Sequence, residues 1–334
     1  MEDFYEDCLL FSCIIGHKFS CLHPRYLVFY NLICLIFLII VRNKGQYDIL
    51  LLTPISMTME NQFTVGVIGV GNMGSALVRG IVNKSGIEAK SIIICDVDKV
   101  KVESLCRDLG VIDGIDANNT SKLADLVILA SKPQNMSTLL KQISKSIKSN
   151  QTVMSIAAGI TTNSIESVLF GDIPIVRVMP NLPAVVGEGM SIYCGGTHVG
   201  DTDFERVRNV LDAVGICLHA PEDLMDAVTA LSGTGPAYVF HTIEVMIESG
   251  IEMGMSREVA EKLVLQTVFG SALLAMKSEL NPTDLRKEVT SKGGTTDAAI
   301  SHLKENNYTK IVIEAILKAK NRSRELGDLN RFSK

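Results

Sequence analysis

From Thr64 onward, short apolar runs alternate with longer stretches whose apolar residues recur at helical spacing. The short runs predict strands at Val65–Gly69, Ile92–Cys95, Leu126–Ala130, Val153–Ile156, Ile175–Met179, Ser191–Cys194 and Gly215–His219. Between them, Ser75–Val82, Val100–Leu109, Met136–Ile147 and Phe204–Ala213 read as amphipathic helices. Strand and helix in alternation predict a parallel sheet with crossover helices. Near Pro221 the pattern changes: β-type alternation stops, and helical spacing takes over in Glu222–Leu231, Ala237–Met253, Arg257–Met276 and Lys310–Glu325. The segment from Ser232 to Pro236 interrupts the first two of these, and Gly293-Gly294 precedes the last third of the region. Tyr238–Met246 and Leu263–Met276 carry more apolar surface than one thin layer can hide, which predicts burial against a second subunit.

The first predicted strand runs straight into Gly69-Val70-Gly71-Asn72-Met73-Gly74, a G-x-G-x-x-G turn at a helix start. Gly69 permits the tight turn, Gly71 lets backbone approach a pyrophosphate, and Gly74 lets helix pack on strand. The first-turn N–H groups, from Asn72 and Met73 onward, then face the phosphates. The second strand ends in Asp96, about 20 positions after the last glycine, where a ribose-binding carboxylate is expected. A carboxylate there accepts from both ribose hydroxyls of NAD and repels the 2′-phosphate of NADP. NADH is therefore favoured over NADPH, with Lys99 and Lys101 partly offsetting the negative field of Asp96 and Asp98. The fold expected is α/β: a Rossmann-type, mostly parallel sheet domain over 61–220, then an all-helical dimerisation and substrate domain over 221–330, with 1–60 as an N-terminal extension.

Ligands of such sheets lie at the carboxyl ends of the strands. Those ends read Gly69-Val70-Gly71, Asp96, Ala130-Ser131-Lys132-Pro133, Ala157-Ala158-Gly159 and Met179-Pro180-Asn181-Leu182-Pro183. Most are small or backbone-rich, as a flat cofactor requires, and Lys132 is the one fixed cation, suited to a phosphate or ribose or simply solvated. In the helical region, Ser291-Lys292-Gly293-Gly294-Thr295-Thr296-Asp297 is a glycine-rich turn at a helix start. Its N–H groups can hold a carboxylate, though an ordinary threonine cap has the same letters.

At 334 residues the chain exceeds a single core, and its net charge of −5 with no Trp argues against a nucleic-acid surface. Eight cysteines lie scattered without metal-ligand spacing; this fits reduced thiols in a cytoplasmic setting, and no metal is expected. Tyr26–Val41 is nearly all apolar but short for a bilayer span and flanked by basic residues on both sides. It reads as a marginal membrane anchor or as an upstream extension ahead of a start at Met57 or Met59; the second reading is favoured. No Ser-His-Asp or Cys-His arrangement is legible, and hydride transfer needs no nucleophile.

The glycine fingerprint, Ala130-Ser131-Lys132-Pro133, Met179–Pro183, Ala230-Leu231-Ser232-Gly233-Thr234-Gly235-Pro236-Ala237-Tyr238 and Val289–Thr296 occur in an order that resembles the pyrroline-5-carboxylate reductase family. The resemblance runs from about Asn61 to Gly327. It implies NAD(P)H-dependent reduction of the cyclic imine 1-pyrroline-5-carboxylate to L-proline, the last step of proline synthesis. It implies that Gly293, Gly294, Thr295 and Thr296 hold the substrate carboxylate, with Glu279 near the substrate. Thr296 would be the hydroxyl beside the ring nitrogen, with Thr234 second. The nicotinamide would lie near Ala157-Ala158 and Pro180, with Gly69, Gly71, Asn72, Met73, Gly74, Asp96, Asn118, Ala130, Lys132, Pro133 and Ala158 around the cofactor. Family members pair through interleaved helical domains, often in rings of dimers, so one chain's strand tips and the other's glycine turn build each site. Lys292 stands where the family commonly has proline, Glu288 where some relatives have asparagine, and Asp96 where NADP-preferring members carry hydroxyl or arginine side chains. A β-hydroxyacid dehydrogenase would need a catalytic lysine, and Ala237–Met253 contains none. A redox sensor would be expected to have lost the substrate turn, which is intact here.

Overall fold

The computed structural model describes residues 18–23, 26–30, 37–43, 46–52 and 63–329, in two compact units, Met1–Gln62 and Phe63–Lys334. In the first unit Lys18–His23 (β1), Tyr26–Tyr30 (β2), Phe37–Asn43 (β3) and Gln46–Leu52 (β4) form an antiparallel sheet in chain order. The apolar run from Tyr26 thus enters two paired strands, with Tyr26 opposite Val41, rather than a membrane-length helix. β-Branched and aromatic residues favour this pairing over a short helix. Met57 and Met59 lie outside the described residues.

The second unit is built on an eight-stranded sheet. Its strands are Val65–Ile68 (β5), Ile92–Cys95 (β6), Ile112–Asp113 (β7), Leu126–Leu129 (β8), Thr152–Ser155 (β9), Ile175–Met179 (β10), Gly189–Gly195 (β11) and Gly215–His219 (β12). Their spatial order is β12-β11-β10-β9-β8-β5-β6-β7, parallel throughout except that β10 and β11 run antiparallel. The chain leaves β5 towards β6 and β7, then returns to the other side at β8. The topological switch point therefore lies between β5 and β8.

The alternating strand positions separate two cores. On one face Val65, Val67, Ile92 and Ile94 pack with Leu77, Val78 and Ile81 of α1 (Asn72–Lys84), Val102 and Leu105 of α2 (Lys99–Leu109) and Val207 and Leu211 of α6 (Asp201–Asp212). On the other, Ile68, Val127, Leu129 and Val153 meet Ala117 of α3 (Ala117–Leu123), Met136 and Leu140 of α4 (Pro133–Ile143) and Ile165 of α5 (Thr162–Glu166). Strands buried on both faces read as continuous apolar runs, which is why most were visible in the sequence.

Beyond Pro221 the chain is helical, and its first segment, predicted as one helix, is broken. A 3₁₀ turn at Glu222–Leu224 leads to α7 (Met225–Val228), then to a π-helical turn at Thr229–Gly233. There follow α8 (Gly235–Glu252), α9 (Arg257–Lys277), α10 (Pro282–Glu288), α11 (Thr295–Glu305) and α12 (Tyr308–Leu329). Met225 docks on Ile192 and Cys194 of β11. Glu222 ties the two regions polarly: its Oε1 accepts from the Thr162 N–H at 2.8 Å and from Arg177 Nη1 at 3.2 Å, and its Oε2 from the Thr162 hydroxyl at 2.6 Å. Arg177 is buried in β10 while Glu222 is partly exposed, so the joint gives a buried guanidinium its carboxylate partner.

The later helices have little core of their own. In α9 only Ala260 and Val264 are buried, while Leu265, Phe269, Leu274 and Met276 are exposed, Phe269 at 62% and Met276 at 75%. A contiguous apolar surface of this extent marks an interaction face. Among the described residues α9 is also the one helix long and apolar enough to cross a membrane.

Candidate active site

The glycine turn sits at the switch point, and each glycine has a separate reason. Gly69 has φ +102°, and a Cβ there would lie 2.8 Å from the Ala130 carbonyl at the end of β8. A Cβ on Gly74 would fall 2.0 Å from the Gly69 oxygen, so the helix can pack this closely only without a side chain. At Gly71 a Cβ would meet nothing within 4 Å: this glycine leaves room above the turn rather than filling a tight contact. Gly71 is also the N-cap of α1 and provides no side-chain cap, so the first-turn N–H groups of Asn72, Met73 and Gly74 keep their donors for an outside acceptor. The Ser75 hydroxyl donates to the Val70 carbonyl at 2.7 Å and holds the turn. These residues fit a dinucleotide diphosphate, by shape at Gly71 and by charge at the helix start.

Asp96 follows β6 beside this turn. Its Oδ2 accepts from the Val70 N–H at 2.7 Å and its Oδ1 from the Asp98 N–H at 2.9 Å. Ala130 and half-buried Ala158 lie at the tips of β8 and β9, and exposed Lys132 caps α4, which begins at Pro133. Asn118 is different. Its Oδ1 accepts from the buried Ser146 hydroxyl at 3.0 Å, just past the far end of α4, which ties α3 to that segment.

The π-helical turn brings a helical-region segment to the same edge of the sheet. Asn181 Nδ2 donates to the Ser232 carbonyl at 3.3 Å, and a Cβ on Gly233 would collide with the Met179 methyl. Thr234, at the end of this turn, gives its hydroxyl proton to the Thr229 carbonyl at 2.9 Å and keeps acceptor capacity only. Sequence reasoning missed this turn, because a single widened turn leaves the helical spacing almost unchanged. It also missed the Glu222–Thr162–Arg177 joint, whose members lie far apart in the chain.

The second glycine turn stands at the start of α11. Gly293 has φ +73° and open space around it, and Gly294 is an uncapped N-cap. The two glycine N–H groups are engaged within the turn: Gly293 N–H donates to Asp297 Oδ2 at 2.9 Å and Gly294 N–H to the Ser291 carbonyl at 3.0 Å. The donors this turn offers outward are therefore the first-turn N–H groups of Thr295 and Thr296, with their hydroxyls, and the glycines shape the turn. Glu279 lies exposed between α9 and α10.

Among the described residues, four thiols and three histidines are engaged away from the two glycine turns. Burial pushes the Cys194 and Cys217 thiols up to about 12, and Asp212, which accepts from Cys217 Sγ at 3.2 Å, adds to the latter. Burial also raises Cys95 and Cys106. His219 meets Tyr193 and Phe204 edge-on, and His198 and His241 face Asp172 and Glu244 at the surface. Among the described residues no three His, Cys, Asp or Glu side chains converge to hold a metal.

Comparison with known proteins decides the family. Residues 222–326 match the model for pyrroline-5-carboxylate reductase dimerisation, and residues 64–159 match one described as NADP oxidoreductase, coenzyme F420-dependent. A pyrroline-5-carboxylate reductase of Methanosarcina acetivorans is 38% identical over 269 residues, 80% of this chain and 99% of the relative. The chain belongs to the pyrroline-5-carboxylate reductase family. The Arabidopsis thaliana reductase is 35% identical, with 79% of this chain and 95% of the relative covered. Among solved structures, a Coxiella burnetii reductase superposes with a TM-score of 0.74 at 33% identity, covering 80% of this chain and 99% of that one. A Plasmodium falciparum reductase with NADP bound superposes with a TM-score of 0.73 at 32% identity, covering 79% of this chain and 98% of that one. The relatives are oxidoreductases that use a nicotinamide cofactor, and the dimerisation model accounts for the exposed apolar helices as a self-association surface rather than a membrane span.

Proposed function

We propose that this protein reduces 1-pyrroline-5-carboxylate to L-proline, the final step of proline synthesis, in the cytoplasm. The observation that carries the reading is the presence, in one chain of this family, of two helix-start anion cradles of different design. The turn at Gly69–Gly74 is open above Gly71 and suits a diphosphate; the turn at Gly293–Thr296 bears hydroxyls beside its first-turn N–H groups and suits a single carboxylate.

When bound, a reduced nicotinamide would supply the hydride that the C=N carbon of the N-protonated imine accepts; the C=N π pair becomes the nitrogen lone pair, and the secondary amine keeps the N–H proton. The work left to the protein is to bind, orient and keep that proton in place. The N–H groups of Thr295 and Thr296 hold the substrate carboxylate, and Glu279 lies beside the substrate. The Thr296 hydroxyl accepts from the ring nitrogen and steadies its proton; Thr234, whose oxygen also keeps acceptor capacity, is the second choice. Gly69, Gly71, Asn72, Met73, Gly74, Asp96, Ala130, Lys132, Pro133 and Ala158 hold the cofactor. The working unit is a dimer in which the α11 turn of one chain meets the strand tips of the other. The test is steady-state oxidation of NADH and NADPH by purified full-length protein supplied with 1-pyrroline-5-carboxylate. Turnover with proline formed in equal amount is expected; no proline with either cofactor removes the proposal.

A further inference from the structure

Two cations, Lys99 and Lys101, follow Asp96 closely enough to receive a 2′-phosphate if they were free. The structure gives both other partners. Lys101 Nζ lies 3.2 Å from the Asp98 carboxylate, which caps α2, and Lys99 Nζ donates to the Ile115 carbonyl on the neighbouring turn. The turn from Asp96 to Lys101 contains no arginine. Asp96 itself is fixed in place, with one backbone N–H donating to each of its oxygens at the edge of the glycine turn. Its remaining lone pairs are placed to accept from two vicinal hydroxyls and to repel a phosphate.

The turn after β7 completes the mouth. The register Ile94↔Asp113 sets Gly114-Ile115 beside Asp96-Val97 at the carboxyl edge of the sheet. Ile115 has φ 69°, a left-handed conformation that a β-branched residue rarely adopts. It is held there by its N–H donating to Asp113 Oδ1 at 2.7 Å and by the Lys99 bond to its carbonyl. That strain keeps an apolar side chain 67% exposed, next to a turn where Val97 is 100% exposed. Strain held by surrounding bonds at the rim of a ligand site points to function. Two apolar side chains flanking a fixed carboxylate suit a flat base attached to an unmodified ribose.

We infer that the turns after β6 and β7 form an adenosine mouth selective for NADH over NADPH, with Asp96 the discriminating residue and Lys99 and Lys101 withheld from a 2′-phosphate by Ile115 and Asp98. The inference rests on the cofactor of the proposed reductase but not on its substrate. The Plasmodium relative was solved with NADP bound, so the family alone does not dictate this choice.

The test is calorimetric titration of the full-length protein with NADH and NADPH, accompanied by kcat/KM for each. Wild-type protein is expected to bind NADH at least about tenfold more tightly, the effect of one like charge at close range in partial solvent. Asp96→Ser should narrow the ratio by about the same factor, and Asp96→Ser with Asp98→Ala, which releases Lys101, should narrow it further. Asp96→Asn, close to the native shape, serves if the serine variant fails to fold. Equal or tighter binding of NADPH by wild-type protein overturns the inference, as does an unchanged ratio in a folded Asp96 variant. Selective NADH binding without turnover of 1-pyrroline-5-carboxylate would leave the inference standing and remove the reductase reading; turnover favouring NADPH would do the reverse.

Discussion

Phe269→Asp is expected to leave a folded chain that no longer self-associates and no longer turns over substrate. Phe269 lies in the middle of α9 and is 62% exposed in the single chain, with Leu265 one turn before it on the same face. The single chain's fold does not depend on it. Burying a phenylalanine at an interface stabilises by about 2 kcal/mol, and in a symmetric pair the change counts twice. Losing about 4 kcal/mol weakens a dimer roughly a thousandfold, before the cost of burying the new carboxylate. Sedimentation should show the shift from dimer, or ring of dimers, to monomer, and circular dichroism should show retained helix. A monomer with full activity would remove the two-chain site; an unchanged dimer would remove α9 from the interface.

Thr296→Ala should lower kcat by about a hundredfold, the lower range for a positioned proton-handling group. NADH binding measured by titration should be unchanged, since the dinucleotide cradle lies on other elements. Thr296→Ser keeps the hydroxyl and should recover most of the rate. Equal losses in kcat and in NADH affinity would mean that Thr296 only shapes the start of α11.

Much of this was legible in the sequence, for physical reasons that differ from place to place. The central strands were visible because burial on both faces makes them continuous apolar runs. The glycine turn was visible because close contacts exclude a side chain at Gly69 and Gly74, while Gly71 leaves open space above the turn. The self-association surface could be read from α8 and α9, where apolar residues cover more of the helix than one neighbour can bury. The two-residue strand β7 gave no signal, being too short for a pattern, and its left-handed Ile115 contradicts residue preference outright. The break at Thr229–Gly233 was hidden by intact helical spacing. In the first unit, an apolar run that suited either a span or an extension pairs as neighbouring strands, a choice that its continuous apolar letters do not reveal.

The direct test of the account is activity in mixed dimers. One chain carries Thr296→Ala, and the other carries Gly71→Asp, which sets a negative charge in the open space meant for the diphosphate. Each variant alone should be nearly inactive. If strand tips and carboxylate turn meet across the subunit boundary, a purified mixed dimer contains one intact site of two and should show about half the wild-type turnover. Mixed dimers of confirmed composition that stay as inactive as either parent would contradict it.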